Sequence, residues 1–445
     1  MSPAPAVTRA PAHTLDTLLD ELAWRGLLQD RTPGLEARLA TGRPMAAYNG
    51  MDPTGPSLHL GHLVPIFGLL HLQRHGGRPV LLVGGATGMI GDPSGTSAER
   101  NLLDRDTIAA NVAGIRSQLE RFLDFEPGAG AATIVNNLDW LGGITMLDFL
   151  RDVGKHFTVP YMLAKDSVAT RLDAGLSYTE FSYMLLQAAD FQHLYSTMGV
   201  EAQVGGADQW GNITAGLELI RRTLTGPNGE PAEPHGLSYP LLLDPSGAKF
   251  GKTSVGTSVW LDPARTSPYA FYQFLVDRPD TEVGKLLRLF TILERQEIAK
   301  LEAEQAAHPE RRPAQRALAV DLTTRVHGVA ETERAITVSR AAFGDEPVRD
   351  PVVLEAMYEV LEHSDLTRED LAGGSLRVAI ASWLFSSNGE ARRAIAQGGF
   401  SINDVRVTAP DMPVPDPIGG RWLLLRAGRK RLRIGRVDGG SAGRR

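Results

Sequence analysis

Short apolar runs separated by amphipathic stretches fill the first 260 residues, the pattern of strands buried on both faces with helices packed over them. Met45–Tyr48, Val80–Val83, Ala202–Val204 and Tyr239–Leu243 are the candidate strands. A helix carrying Leu60, Leu63, Val64 and Phe67 at helical spacing follows the first strand, with Ser57 placed to cap it and Gly76-Gly77 to end it. Each strand runs into a glycine-bearing loop at what becomes the carboxyl edge of a parallel sheet, where open α/β sheets bind ligands. The spacing predicts a mostly helical insertion at about 101–172 and a purely helical stretch at 263–344. Residues 345–374 mix Pro, Gly and acids and read as a linker holding one helix around Leu354–Leu361. A small α+β unit at 375–440 completes an α/β chain whose main sheet lies in 1–262.

Composition narrows the class. A 445-residue chain with 42% hydrophobic and 22% charged residues is a folded soluble protein of two or three domains. It has no cysteine, which excludes disulfides, thiolate zinc sites and a cysteine nucleophile. No apolar run approaches the ~20 residues of a membrane span. The Ala/Pro-rich start, Met1 to His13, lacks an apolar signal core and reads as a disordered lead-in to a cytoplasmic protein. The net charge of −6 hides an asymmetry: from Leu376 onward the balance is +8, and the rest of the chain carries −14. A basic end on an acidic body points to an RNA contact at the C-terminus, the alternative being a solvated charged tail.

Three groups of residues carry chemistry. His59 and His62, three apart at the start of a predicted helix, place two imidazoles on one face, where first-turn N–H groups favour an anion. Gly61 between them leaves room for an approaching planar ring. Lys249 and Lys252, two of only seven lysines, stand beside Gly251 and Thr253 in a loop after the strand at Leu241. Flexible ammonium groups of this kind follow a phosphate as its geometry changes. Tyr183, Gln187 and Asp190 form one polar stripe, at i, i+4 and i+7, on an otherwise apolar helix, which fits a lined pocket better than a solvated face.

With Tyr48-Asn-Gly-Met-Asp-Pro-Thr-Gly-Pro-Ser-Leu-His-Leu-Gly-His62 and Lys249-Phe-Gly-Lys-Thr253 read together, the chain resembles the class I aminoacyl-tRNA synthetases, and specifically bacterial tyrosyl-tRNA synthetases. The two stretches look like that class's HIGH and KMSKS motifs. The resemblance implies a Rossmann-like catalytic domain, an α-helical anticodon-side domain and a C-terminal fold similar to that of the fourth small-subunit ribosomal protein. The last rests on Glu390–Arg393, Gln397–Phe400, Ile402-Asn403 and Arg429–Arg433. It implies His59, His62, Lys249, Lys252 and Thr253 as catalytic residues. Tyr48, Asp92, Tyr183, Gln187, Asp190 and Gln209 are implied for tyrosine, with Asp190 and Tyr48 at the phenol. Gly50, Asp52, Thr54, Gly61, Gly206, Asp208, Leu242 and Lys252 are implied for ATP. ATP with Mg2+, tyrosine and its tRNA follow as reactants, with no protein-bound zinc. A homodimer through residues 139–166 also follows, against a core-packing role for the same segment. Two positions depart from the family pattern: Thr96 replaces a loop lysine, leaving Arg100 as the basic residue there, and Asn49 replaces a cysteine while keeping a group able to bond a ribose hydroxyl. Tryptophanyl-tRNA synthetases share both ATP motifs but lack the Tyr48–Asp190 pairing. A nucleotidyltransferase of the same superfamily would have no work for the helical domain and basic end.

Overall fold

The computed structural model describes residues 13–53, 55–94, 105–170, 172, 175–226, 229–243, 250–251, 258–344, 346–428 and 431–438. The chain forms two compact units, one of residues 1–266 with 274–326, the other of 267–273 with 327–445. The helical stretch expected at 263–344 is thus divided between them.

The first unit is built on five parallel strands: β1 (Ala46–Met51), β2 (Arg78–Val83), β3 (Thr133–Asn136), β4 (Val200–Gly206) and β5 (His235–Tyr239). Their order is β3-β2-β1-β4-β5. The chain builds outward from β1 on one side and resumes at β4 on the other. The crevice between the carboxyl ends of β1 and β4 is therefore the switch point, where such sheets take ligands. Val80, Leu81, Leu82 and Val83 are all buried, as a central strand covered on both faces requires. One face packs Tyr48, Phe191, Leu194, Ile213 and Leu217 into a core. On the helix Leu63–Arg74, Phe67 meets Phe122 and Phe290, with ring centroids 5.8 Å apart in both pairs.

Three expectations change here. The insertion read as helical contains β3, a four-residue, half-buried edge strand. The strand expected at Tyr239–Leu243 lies earlier, at His235–Tyr239, because Pro240 cannot donate to a ladder, and Leu241 and Leu243 are left exposed. Ser57 does not cap the following helix. Its hydroxyl accepts from Asp262 N and Gln118 Nε2, and His59 caps the short 3-10 turn Leu60–His62 that leads into Leu63–Arg74.

In the second unit β6 (His363–Thr367), β7 (Phe400–Ile402), β8 (Val405–Arg406), β9 (Trp422–Ala427) and β10 (Arg431–Asp438) form a sheet of order β6-β10-β9-β7-β8. Only the β6–β10 pairing is parallel. The segment read as a linker thus supplies both the helix Pro351–Val360 and an edge strand of this sheet. Asn403 and Asp404, at φ +50° and +63°, make the tight turn between β7 and β8, a conformation Asn and Asp tolerate best after glycine. The helices Gly374–Ala381 and Asn388–Ala396 pack Val378, Ala391 and Ile395 against Phe400, Ile402 and Leu425 of the sheet.

Candidate active site

A cavity of about 740 Å3 opens at the switch point of the first unit. Tyr48, Asn49 and Gly50 line it from β1, Asp52, His59, Gly61 and His62 from the loop that follows, and Gly91 and Asp92 from the loop after β2. Tyr183, Gln187 and Asp190 line it from the helix Tyr178–Met198, capped by Ser177, whose hydroxyl accepts from Glu180 N. Gly206, Asp208 and Gln209 come from the end of β4, and Leu242 and Phe250 from beyond β5. The i, i+4, i+7 stripe therefore faces one cavity. Thr54, Thr96, Arg100, Lys249, Lys252 and Thr253 lie outside the described residues.

At one end sits Asp190, 2% exposed. Its carboxylate accepts from Asn137 Nδ2 at 2.9 Å and from Trp140 Nε1 at 2.8 Å. Burial pushes its pKa up to about 7 in spite of these bonds. The Tyr48 hydroxyl is buried and has no hydrogen-bond partner among the described residues. Burial, and then the charge of Asp190, raise its pKa well above the ordinary phenol value. A buried, unpaired hydroxyl is costly, about 1–3 kcal/mol, and needs an explanation.

The middle of the cavity is a hydrogen-bonded network of carboxylates. Asp52 accepts from Thr87 Oγ1 at 2.9 Å and from the Tyr183 hydroxyl at 3.1 Å. Asn137 Nδ2 also donates to Thr87 Oγ1 at 3.0 Å, which ties Asp52 to the Asp190 end. Asp92 accepts from Gln209 Nε2 at 2.7 Å and from Ser94 N at 2.8 Å, and Gln187 Nε2 donates to Gln209 Oε1 at 3.3 Å. Burial raises the Tyr183 pKa, and the charges of Asp52, Asp92 and Asp190 add to it. Asp52 and Asp92 thus set two carboxylates along this stretch of the cavity. Thr87, Asn137 and Trp140 were not singled out from sequence, since nothing local marks residues that act across 35 to 53 positions.

At the other end the rings of His59 and His62 lie 3.9 Å apart, centroid to centroid. His59 Nδ1 accepts from Gly61 N and His62 Nδ1 from His59 N, both at 3.1 Å. With each Nδ1 accepting, a neutral ring carries its proton on Nε2, as a donor. Burial, then the neighbouring His59, lower the His62 pKa to about 3, so in the free site this ring is neutral at neutral pH. The first-turn N–H groups expected to await an anion are already engaged, Leu60 N with Val259 O and His62 N with His59 O. Gly61, which lines the cavity, also has a local reason to lack a side chain. A Cβ there would stand 2.9 Å from His59 Cε1 and force that ring to move. Asn49, also in the lining, donates from Nδ2 to Val204 O at 2.9 Å and joins β1 to β4.

Phe250 and Gly251, in the middle of the lysine motif, lie on the histidine motif. A Cβ at Gly251, whose φ is +90°, would meet Leu60 Cβ at 3.1 Å and Gly61 N at 3.2 Å. Only glycine combines that backbone with so close an approach. Phe250 N donates to Leu242 O at 2.9 Å, which ties together the two ends of the intervening segment. Among the described residues no three His, Asp or Glu side chains gather as a metal site, and no helix is long and apolar enough to cross a membrane.

The family described as tRNA synthetases class I (W and Y) matches residues 40–344. The chain is 49% identical over 430 residues to a tyrosine–tRNA ligase of Anaeromyxobacter dehalogenans, covering 95% of this chain and all of that one. It is 47% identical over 423 residues to a tyrosine–tRNA ligase of Mycobacterium bovis, covering 93% of this chain and 97% of that one. Its fold is similar to that of a C-terminally truncated mitochondrial tyrosyl-tRNA synthetase of Aspergillus nidulans, with a TM-score of 0.65 and 31% identity over 73% of this chain and 93% of the other.

Proposed function

We propose, for a chain that belongs to the class I tRNA synthetases in the family of tryptophan and tyrosine enzymes, a division of labour along the cavity just described. The chain is a ligase that joins tyrosine to tRNA at the expense of ATP. The observation that carries the placement of tyrosine is the buried Tyr48 hydroxyl without a partner, beside a buried Asp190 held by Asn137 and Trp140. A phenolic hydroxyl arriving there donates to Asp190 and accepts from Tyr48, and satisfies both. Phenylalanine leaves the Tyr48 hydroxyl without a partner and brings Asp190 no donor beyond Asn137 and Trp140. Rejection of phenylalanine by tyrosyl-tRNA synthetases is itself the general worked example of discrimination against an analogue that lacks a hydroxyl, and the same reasoning applies here.

The substrate's ammonium falls among Asp92, Tyr183 and Gln187, with Gln209 holding Asp92 in place. Its carboxylate then points toward the histidine end. Gly50, Asp52, Thr54, Gly61, Gly206, Asp208 and Leu242 form the bed for ATP, which brings its own magnesium. One carboxylate oxygen attacks the α-phosphorus, the bond to the β-phosphate breaks, and pyrophosphate leaves. His59 and His62 donate from Nε2 to phosphate oxygens as charge grows on them. Lys249 and Lys252, with the Thr253 hydroxyl, supply the cationic charge, and Phe250 and Gly251 of the same motif lie against Leu60 and Gly61 of the histidine motif. This is stabilisation by preorganised groups with no protein nucleophile. A hydroxyl at the 3′ end of the tRNA then attacks the acyl carbon and releases AMP.

Residues 375–440 serve as the RNA-binding domain, and the enzyme works as a homodimer. Met146, Leu147 and Val159 are 69%, 80% and 59% exposed in the 139–166 segment, an apolar surface that a two-fold partner would cover. The similar tyrosine–tRNA ligases of Anaeromyxobacter dehalogenans and Mycobacterium bovis support the cytoplasm as the place of this work. Charging of tRNA with labelled tyrosine tests the site: Asp92→Ala is expected to raise the tyrosine KM more than the ATP KM. An unchanged tyrosine KM would remove Asp92 from the ammonium site.

A further inference from the structure

Trp383 is out of place by every folding criterion. Its φ is +58°, in the left-handed region that side chains avoid and glycine accepts. Its side chain is 79% exposed, so the strained backbone is not offset by burial of the ring. Among the described residues no aromatic ring or cation packs on it. The conformation is nevertheless held firmly. Trp383 N donates to Ile380 O at 2.9 Å, ending the helix Gly374–Ala381. The carbonyls on either side of it are clamped by arginines of β10, Ser382 O by Arg433 at 2.7 Å and Leu384 O by Arg431 at 2.8 Å.

The surroundings say what the ring is held out for. Arg431 also reaches Glu390 in the first turn of the helix Asn388–Ala396, joining the tryptophan turn to that helix. Arg393, one turn on, runs back toward the same end, since a Cβ at Gly389 would stand 3.5 Å from its Nη1. Arg392 and Arg393 are exposed and form no ion pair with a described residue. The turn lies in the C-terminal segment whose balance is +8. An exposed indole on a fixed turn, joined through Arg431 and Glu390 to a helix that carries two unpaired guanidinium groups, matches the chemistry of an unstacked nucleobase and its phosphates.

We propose that Trp383 is a stacking platform for an unpaired base of the bound tRNA, with Arg392 and Arg393 on the adjoining phosphates. This rests on the reading of residues 375–440 as the RNA-binding domain. Strain kept at an exposed aromatic is then explained by binding, since a ring at this position serves RNA and not the fold.

Full-length Trp383→Gly, Trp383→Phe and Arg392→Ala/Arg393→Ala enzymes test it by tRNA titration over a range of salt. Trp383→Gly is expected to weaken tRNA binding roughly tenfold, with no fall in melting temperature and no change in tyrosine-driven ATP–pyrophosphate exchange. Trp383→Phe retains most of the affinity. The dependence of affinity on salt stays as in the parent for Trp383→Gly, because no phosphate contact is lost, and flattens for the arginine pair. Parental tRNA affinity in Trp383→Gly alongside a loss in the arginine pair overturns the stacking platform and leaves the RNA-binding domain standing. Parental affinity in both overturns the domain reading as well. A loss in Trp383→Gly that comes with a lower melting temperature and is not restored by Phe assigns the ring to the fold.

Discussion

Replacing Tyr48 with Phe separates binding from folding because the two effects have opposite signs. The Tyr48 ring is 1% exposed and lies 5.3 Å from Phe191, and its hydroxyl has no partner among the described residues. Phenylalanine keeps the ring and deletes only that hydroxyl. In the free protein this removes an unsatisfied buried group, a gain of about 1–3 kcal/mol. The melting temperature of this unit should rise by roughly 2 °C. In the complex the substrate hydroxyl loses one of its two partners, a net hydrogen bond of about 0.5–1.5 kcal/mol. The kcat/KM for tyrosine in ATP–pyrophosphate exchange should therefore fall roughly two- to tenfold. Phenylalanine never had that bond, so its value stays the same or improves, and discrimination narrows by the same factor. Equal losses for both amino acids, or a lower melting temperature, would refute the placement of the phenol.

Further expectations concern the remaining groups. Burial holds Asp190 near pH 7, above the ordinary carboxylate value, so between about pH 4 and 7 the folded state keeps a proton that the unfolded state has lost. Stability should decline over that window as pH rises, while tyrosine affinity, which needs the carboxylate, climbs, and Asp190→Asn should flatten both curves in urea and binding titrations. His62→Ala should lower kcat for activation roughly a hundredfold with little change in tyrosine KM. The kcat/KM profile, which reports the free enzyme, should show no inflection near the ordinary histidine value from this ring, because it is already neutral there. A mutant that raised only the tyrosine KM would contradict the role given to it. Gly61→Ala should slow exchange through the displaced His59 ring while leaving tyrosine binding intact, and full activity would show that the ring yields freely.

The sequence exposed what local pattern controls. Val80–Val83 reads as a buried strand because every one of its side chains is apolar, and all four are buried. Tyr183, Gln187 and Asp190 stand out because polar residues repeat at helical spacing on an apolar helix, and that helix lies beside the cavity. β3 escaped because four half-buried residues at a sheet edge show no alternation or run strong enough to separate from helix. Asn137 and Trp140 escaped for another reason. Their work is to hold Asp190, 53 and 50 positions away, and only the folded chain brings them together. The state of His62 was likewise hidden, since its neutrality comes from burial and its hydrogen-bonding pattern from the turn at His59. The early start of the C-terminal sheet depends on β6 finding β10 across about seventy residues, which no linker-like composition announces.

ATP–pyrophosphate exchange by the unmodified enzyme, driven separately by tyrosine, phenylalanine and tryptophan at equal concentration, tests the central claim most directly. If Tyr48 and Asp190 read the phenolic hydroxyl, tyrosine supports exchange, phenylalanine fails for want of that hydroxyl, as the general example drawn from this same family of enzymes has it, and tryptophan fails as well. Exchange with phenylalanine close to that with tyrosine, or with tryptophan alone, would contradict the account.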